Sequence, residues 1–309
     1  MEEYEVELIN KDGKALKLTR AKYSELCDSL RNNLKKIFSL IVNKRRLDSA
    51  YHLAAYGIKA RLRMREKKHH LKNVYELLME LPGDFALEAV RIKNEKKSMT
   101  FKTGADPRSV FNHIKEVIID NQYAVSEDML RDKTVIDAGA NTGTFSIFAA
   151  ALGAKKIYAF EPIKETYEQL KQNIALNKLE NRIVAVNKGL GERNKTVLIT
   201  YETAEGGGVI SNTQDNDKVQ RCEITPLDQF VKENDVVVDF IKCDIEGYEK
   251  ELIRGAEKTI KEFGPIIDIS AYHKKEDKEE IPRLIRNIRS DYKYRLNRIH
   301  EEDFIFWIE

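Results

Sequence analysis

The chain has 309 residues, room for one large domain or two modest ones at roughly 100–200 residues per domain. Hydrophobic residues make up 42% and charged residues 34%, which excludes a disordered chain, and a net charge of +2 carries no overall preference for nucleic acid. Cys27, Cys222 and Cys243 are odd in number and share no C-x-x-C spacing, which argues against a disulfide framework and a structural zinc site. The opening Met1-Glu2-Glu3-Tyr4 is acidic where a secretory leader is basic, and no apolar run reaches about 18 residues. The expected address is the cytoplasm.

The near-neutral total conceals an asymmetry. Between Arg31 and Asn73 stand 13 Lys or Arg against only Asp48 and Glu66, a local charge of +11 that leaves −9 for the remainder. Leu30, Leu34, Ile37, Phe38 and Ile41 recur at spacings of three and four, and a second helical stretch, Val74 to Leu81, stops at Pro82-Gly83. Phe85–Ile92 and Ser98–Phe101 read as strands around a charged turn at Asn94–Lys97. Residues 1–104 therefore read as a basic, mostly helical region ending in a short strand pair, and 105–309 as a second domain. Arg61, Arg63, Arg65, Lys67, Lys68 and Lys72 could bind an anionic partner such as RNA or a lipid surface. The competing reading is a solvated helix face that pairs with acidic residues elsewhere in the chain.

From Asp132 onward, short apolar runs alternate with amphipathic stretches. Val135-Ile136 reads as a strand, Thr144 to Leu152 as a helix ending at Gly153, and Lys156–Phe160 as the next strand. A helix follows with Ile163, Tyr167, Leu170 and Ile174 on one face and Asn177 near its end, then a strand at Ile183–Val186. Thr196–Thr200 and Val219–Ile224 could pair antiparallel around Gly206-Gly207-Gly208. Val236–Cys243, a helix from Glu249 to Arg254, Ile266–Ile269 and a closing hairpin of Tyr294–Ile299 with Phe304–Ile308 complete the pattern. Strands alternating with helices predict an α/β fold with a mostly parallel sheet, and such folds bind ligands at the carboxyl ends of their strands.

At those ends the residues become informative. The first strand runs into Asp137-Ala138-Gly139-Ala140-Asn141-Thr142-Gly143, where two glycines allow a tight turn and close backbone approach to a ligand. The D-x-G-x-x-x-G spacing lacks the third glycine of a dinucleotide fingerprint, which disfavours a nicotinamide oxidoreductase. Glu161, 18 residues beyond Gly143, follows Phe160 at the end of the second strand, where an acid can accept hydrogen bonds from both ribose hydroxyls. Loop and acid together point to an adenosine-containing cofactor. Asp244 and Glu246 emerge where a later parallel strand meets its loop; helix capping is the alternative role for carboxylates here, Glu249 above all.

Val135 to Gly143, Ala159-Phe160-Glu161-Pro162 and Ile241-Lys242-Cys243-Asp244-Ile245-Glu246-Gly247 with Gly255-Ala256 behind it resemble the FkbM family of methyltransferases. Asp120-Asn121-Gln122-Tyr123, Asn173 and Asn177 are similar to that family too, so the likeness covers about Phe111 to Ile308. It implies a class I methyltransferase (Rossmann-like) fold, a seven-stranded mostly parallel sheet with an antiparallel last strand. It also implies methyl transfer from S-adenosyl-L-methionine, most often to an oxygen of a sugar or natural product. Asp137, Gly139, Asn141, Gly143, Phe160 and Glu161 are then assigned to the cofactor, and Asp244, Glu246 and His273 are the candidates for acid–base work. Asp244 and Glu246 could hold a metal, but no further ligand set is evident, so none is assigned. One departure stands out: Asn187-Lys188-Gly189-Leu190-Gly191 lacks the acid that many methyltransferases set against the adenine amine. Two other readings are an RNA methyltransferase docking through the basic region, against which no N-P-P-Y-type segment is present, and a methyltransferase-like binding protein without turnover.

Overall fold

The computed structural model describes residues 5–10, 13, 15–18, 87–104, 107–201, 209–210 and 218–309. They fall into two compact units, Met1–Lys96 and Lys97–Glu309. The basic stretch 31–73 and the Gly206–Gly208 loop lie outside the described residues.

In the first unit, β1 (Glu5–Asn10) and β2 (Ala15–Leu18) form an antiparallel hairpin, and β3 (Leu87–Lys93) pairs antiparallel on the other side of β1. The sequence places these opening residues in a mostly helical region, whereas 5–10 and 15–18 are strands. The difference has a local cause: Gly13 takes φ +77° and donates its N–H to Asn10 O at 2.9 Å, closing a turn that returns the chain as a strand. Glu7 is buried between Lys93 and Arg91 of β3, 2.7 and 3.3 Å away, and the hydrogen-bonded Lys93 holds its carboxyl below the usual range despite burial.

The second unit begins with β4 (Ser98–Lys102) and α1 (Pro107–His113), which runs on into a π-helical turn over Ile114–Ile119, followed by α2 (Glu127–Leu130). Then come β5 (Thr134–Ala138), α3 (Thr144–Ala151), β6 (Lys156–Phe160), α4 (Lys164–Leu176) and β7 (Ile183–Val186). A small second sheet holds β8 (Gly189–Leu190), β9 (Lys195–Tyr201), β10 (Val209–Ile210) and β11 (Lys218–Thr225), in the order β10-β9-β11-β8. The expected pairing of 196–200 with 219–224 is present, antiparallel. The chain closes with α5 (Leu227–Asn234), β12 (Phe240–Cys243), α6 (Glu249–Gly255), α7 (Glu257–Phe263), β13 (Ile266–Ser270), α8 (Asp277–Ile288), β14 (Lys293–Asn297) and β15 (Asp303–Trp307).

The main sheet has seven strands in the order β14-β15-β13-β12-β5-β6-β7. β7, β6, β5, β12 and β13 are parallel, while β15 lies antiparallel to β13 and β14 antiparallel to β15. This is the class I methyltransferase architecture expected from the resemblance. The central strands are short, mostly apolar and largely buried, as parallel strands covered by helices must be. α3, Thr-Phe-Ser-Ile-Phe-Ala-Ala-Ala, is buried almost all round, its alanines allowing close approach to the sheet. Ile136, Phe160, Phe240, Ile267 and Phe306 belong to the buried layers, and the carboxyl ends of β5, β6, β12 and β13 open together at one edge of the sheet.

Candidate active site

Beyond β5 the chain turns sharply. Gly139 has φ +75°, and a Cβ there would sit 1.9 Å from the carbonyl oxygen of Asp244, so only glycine lets this loop touch the one after β12. The N–H groups of Gly139 and Ala140 both donate to Phe160 O, at 3.1 and 2.9 Å, locking the loop onto β6. Gly143 has φ +92° and lies under Leu170 of α4. From the same helix, Asn173 donates to Thr142 O at 2.8 Å and accepts the Lys102 N–H at 2.9 Å, so one side chain ties the loop to β4. Asn177 clamps both the N–H and the C=O of Thr100.

These contacts frame a cavity of about 270 Å³ at the strand ends. Gly139, Asn141 and Glu161 line it; Asp137, Gly143 and Phe160 lie behind its wall. Asp137 is fully buried, accepts from Ser146 Oγ at 2.6 Å and faces Lys242 Nζ at 3.3 Å. Lys242 in turn donates to Gly139 O at 2.8 Å and reaches the cavity surface. Burial works against the charge of Lys242, but the Asp137 and Asp244 carboxylates outweigh it and hold its pKa above the ordinary value. Asp137 thus supports the glycine loop through a buried ion pair.

Glu161 stands at one end of the cavity. Its Oε2 accepts the Asn141 N–H at 3.0 Å and its Oε1 the Ile163 N–H at 2.9 Å. Burial pushes its carboxyl up to about 7, against the pull of those two bonds. Beside it Pro162, Ile163, Leu190, Ile199 and Ile224 make an apolar wall.

At the other end, Asp244 follows β12. It accepts from Tyr123 Oη at 3.2 Å and from Tyr272 Oη at 3.3 Å, one donor on each carboxylate oxygen. Burial and the Asp244 charge raise both tyrosine hydroxyls far above the usual phenol value, so they act as donors. Glu246 lines the same end and is held at φ +57°, a conformation that few non-glycine residues adopt. His273, just past β13, packs behind Asp244: its Nε2 is 3.7 Å from Asp244 Oδ1 and 3.3 Å from Glu246 Oε2, and its Nδ1 is 3.1 Å from Glu249 Oε1. Burial disfavours the imidazolium, yet the surrounding carboxylates prevail and lift His273 to about 10. Glu249, which the sequence suggests as a cap, is buried and accepts the N–H groups of Ile245 and Gly247, at 3.0 and 3.2 Å.

Tyr123, Lys242, Tyr272 and Glu301, which line the cavity, carry no role of their own in the sequence analysis. A signal existed for one of them: Lys242 is a lysine inside an otherwise apolar, doubly covered strand, which only a buried acid can tolerate.

The family model described as the Methyltransferase FkbM domain matches residues 137–296, a little over half of the chain. The chain belongs to this family. Among known FkbM-domain and other methyltransferases, it is similar to methyltransferase sdnD of Sordaria araneosa, 26% identical over 176 residues, which are 47% of this chain and 68% of that protein. An uncharacterized RNA methyltransferase of Clostridium tetani is 30% identical over 147 residues, 47% of this chain but only 30% of its own length. The crystal structure of methyltransferase FkbM from Methylobacillus flagellatus KT matches with a TM-score of 0.45 at 21% identity, covering 65% of this chain and 53% of that one. No helix among the described residues is long and apolar enough to cross a membrane.

Proposed function

We propose that this FkbM-domain chain transfers a methyl group from S-adenosyl-L-methionine to a hydroxyl oxygen of a sugar, glycan or other small molecule. The observation that carries the reading is one cavity with a buried, doubly oriented carboxylate, Glu161, at one end and a second oriented carboxylate, Asp244, at the other.

The donor set fits an adenosyl cofactor. Glu161 keeps lone pairs for two ribose hydroxyls, the apolar wall of Leu190, Ile199 and Ile224 suits an adenine face, and Asn141 with the glycine loop lies on the amino-acid side. When bound, the cofactor supplies an electrophilic sulfonium methyl. The chain's own residues then orient the acceptor, exclude water and receive a proton; holding reactants about 3 Å apart in line is worth roughly 7–11 kcal/mol. Asp244 is the group that takes the hydroxyl proton, because it opens on the cavity and its tyrosine partners fix its direction. His273, held as an imidazolium at neutral pH, has no lone pair for that task and acts as a positioning residue behind Asp244.

The acceptor end also bears on substrate class. Asp244, Glu246 and Glu301 gather there, a setting rich in acceptors that suits the hydroxyls of a neutral polyol better than a phosphate backbone. That favours a hydroxylated small molecule over RNA. The test is calorimetry with S-adenosylhomocysteine followed by a methyl-transfer assay on Asp244→Asn. The expected result is cofactor affinity within a few fold of wild type and turnover reduced by about 10²–10⁴, the usual worth of a positioned base. Failure of the wild-type chain to bind S-adenosylhomocysteine at millimolar concentration would overturn the reading.

A further inference from the structure

His273 sits among more carboxylates than an imidazole needs for anchoring. Asp244, Glu246 and Glu249 surround it, and ligand atoms of Asp244, Glu249 and His273 all lie within 4.8 Å of one another. Both ring nitrogens are buried without a well-formed hydrogen bond, although Glu246 and Glu249 oxygens stand within ion-pair reach and the side chain is only 11% exposed. We infer that Asp244 and His273 Nε2, with Glu246 closing from the exposed side, form a binding site for one first-row divalent cation.

The spacing supports this. Two ligand atoms sharing an ion at bonds of about 2.1 Å are about 3.0 Å apart when cis in an octahedron and about 3.4 Å apart in a tetrahedron. His273 Nε2 stands 3.3 Å from Glu246 Oε2 and 3.7 Å from Asp244 Oδ1, so each carboxylate is one small side-chain adjustment from sharing an ion with the imidazole. The surroundings are those of a metal ligand and its outer partner. Glu249 Oε1, pinned by two backbone N–H groups, lies 3.1 Å from Nδ1 and orients the ring, so that Nε2 ligates as the cation displaces the proton the carboxylates otherwise hold there. The two tyrosine hydroxyls orient Asp244 in the same way. Mixed carboxylate and imidazole donors suit Mn²⁺, Zn²⁺ and their neighbours. Asp244 and Glu246 also line the cavity, so the remaining coordination positions face the place where an acceptor oxygen arrives. That use in acceptor binding rests on the methyl-transfer reading; the cation site stands without it.

The experiment titrates Mn²⁺ alone into chelator-treated full-length chain, with calorimetry for affinity and pulsed electron paramagnetic resonance for imidazole nitrogen coupling, and measures S-adenosylhomocysteine binding separately. One ion per chain at micromolar affinity with a nitrogen coupling is expected. His273→Ala removes the coupling and weakens binding at least tenfold, Asp244→Asn weakens it at least tenfold, and Glu249→Gln weakens it by about 10–100-fold. Retained S-adenosylhomocysteine affinity shows that each variant is folded. No Mn²⁺ binding by the wild-type chain at millimolar metal, or binding that His273→Ala leaves intact, overturns the site. Mn²⁺ binding without S-adenosylhomocysteine binding would uphold the cation site while refuting the methyl-transfer reading, so the two failures are distinguishable.

Discussion

Glu161 carries a cost that its proposed role in binding ribose would explain. Its carboxyl, pushed by burial from an ordinary 4.5 to about 7, binds a proton in the folded chain that the unfolded chain has already released. Stability therefore declines as pH rises through that window and levels off above it, by about 3 kcal/mol for a shift of this size. Ribose hydroxyls need the ionised form. S-adenosylhomocysteine affinity should then fall about tenfold per pH unit below 7 and stay flat above it, and Glu161→Gln should bind weakly with no such profile; calorimetry across pH 5.5–8.5 checks both. Asp137 behaves differently. Because it neutralises buried Lys242 and stands behind the cavity wall, Asp137→Ala should unfold the chain first, costing about 3–5 kcal/mol as Lys242 is left buried without its counter-ion. A denaturant titration reads this directly, and an unchanged midpoint would mean that the pair contributes nothing. From sequence, both acids read as cofactor ligands. Whether an acid at a strand end looks into the cavity or back under the loop depends on its place in the pleat and on a lysine 105 residues away, which no local pattern reveals.

At the scale of elements, α4 does more than cover the sheet. Asn173 and Asn177, one turn apart on its last part, reach across to β4 and the glycine loop, so the helix serves as a bracket for the cofactor end. Asn177→Ala removes two hydrogen bonds to the Thr100 backbone, each worth about 0.5–1.5 kcal/mol. The expected outcome is a lowered melting temperature together with weaker S-adenosylhomocysteine binding, as the loop loses its support. Thermal melts with and without ligand check this; an unchanged melting temperature would remove the bracket role. The parallel strands and α3 to α4 are legible in the sequence because each buries a continuous apolar run or a clean helical stripe. The β1–β2 hairpin has a short signal of its own, the Glu5-Val6-Glu7-Leu8 alternation and the Asp12-Gly13 turn, which the longer helical periodicity after it outweighs. The π-helical turn at Ile114–Ile119 has no sequence signature, yet it brings Glu116 and Val117 to the cavity. Asp244 and His273 meet for a topological reason: β12 and β13 are sheet neighbours, so loops 29 residues apart in sequence share one edge.

For the whole molecule, charge and chemistry are segregated along the chain. Every described residue that lines the cavity belongs to the span from His113 to Glu301, and its Asp244 end is rich in carboxylates, whereas the +11 stretch of 31–73 precedes all of it. This is the basis for proposing a division of labour between a basic region, 1–104, and a methyl-transfer domain, 105–309. In that arrangement an anionic surface is a docking partner and not the acceptor itself. Replacing Arg61, Arg63, Arg65, Lys67, Lys68 and Lys72 with Gln in the full chain separates the roles. If these side chains contact phosphates of a single-stranded oligonucleotide, the slope of log affinity against log salt should shrink by up to about 4, at roughly 0.7 per contact, while S-adenosylhomocysteine affinity stays the same. Titration at several salt concentrations measures the slope, and anionic vesicles in a parallel series test a lipid surface. Salt-independent, negligible binding of the unmodified chain to both would reduce the segment to a solvated face. A loss of S-adenosylhomocysteine affinity in the Gln variant would instead mean that the two regions are energetically coupled, and the division would have to be abandoned.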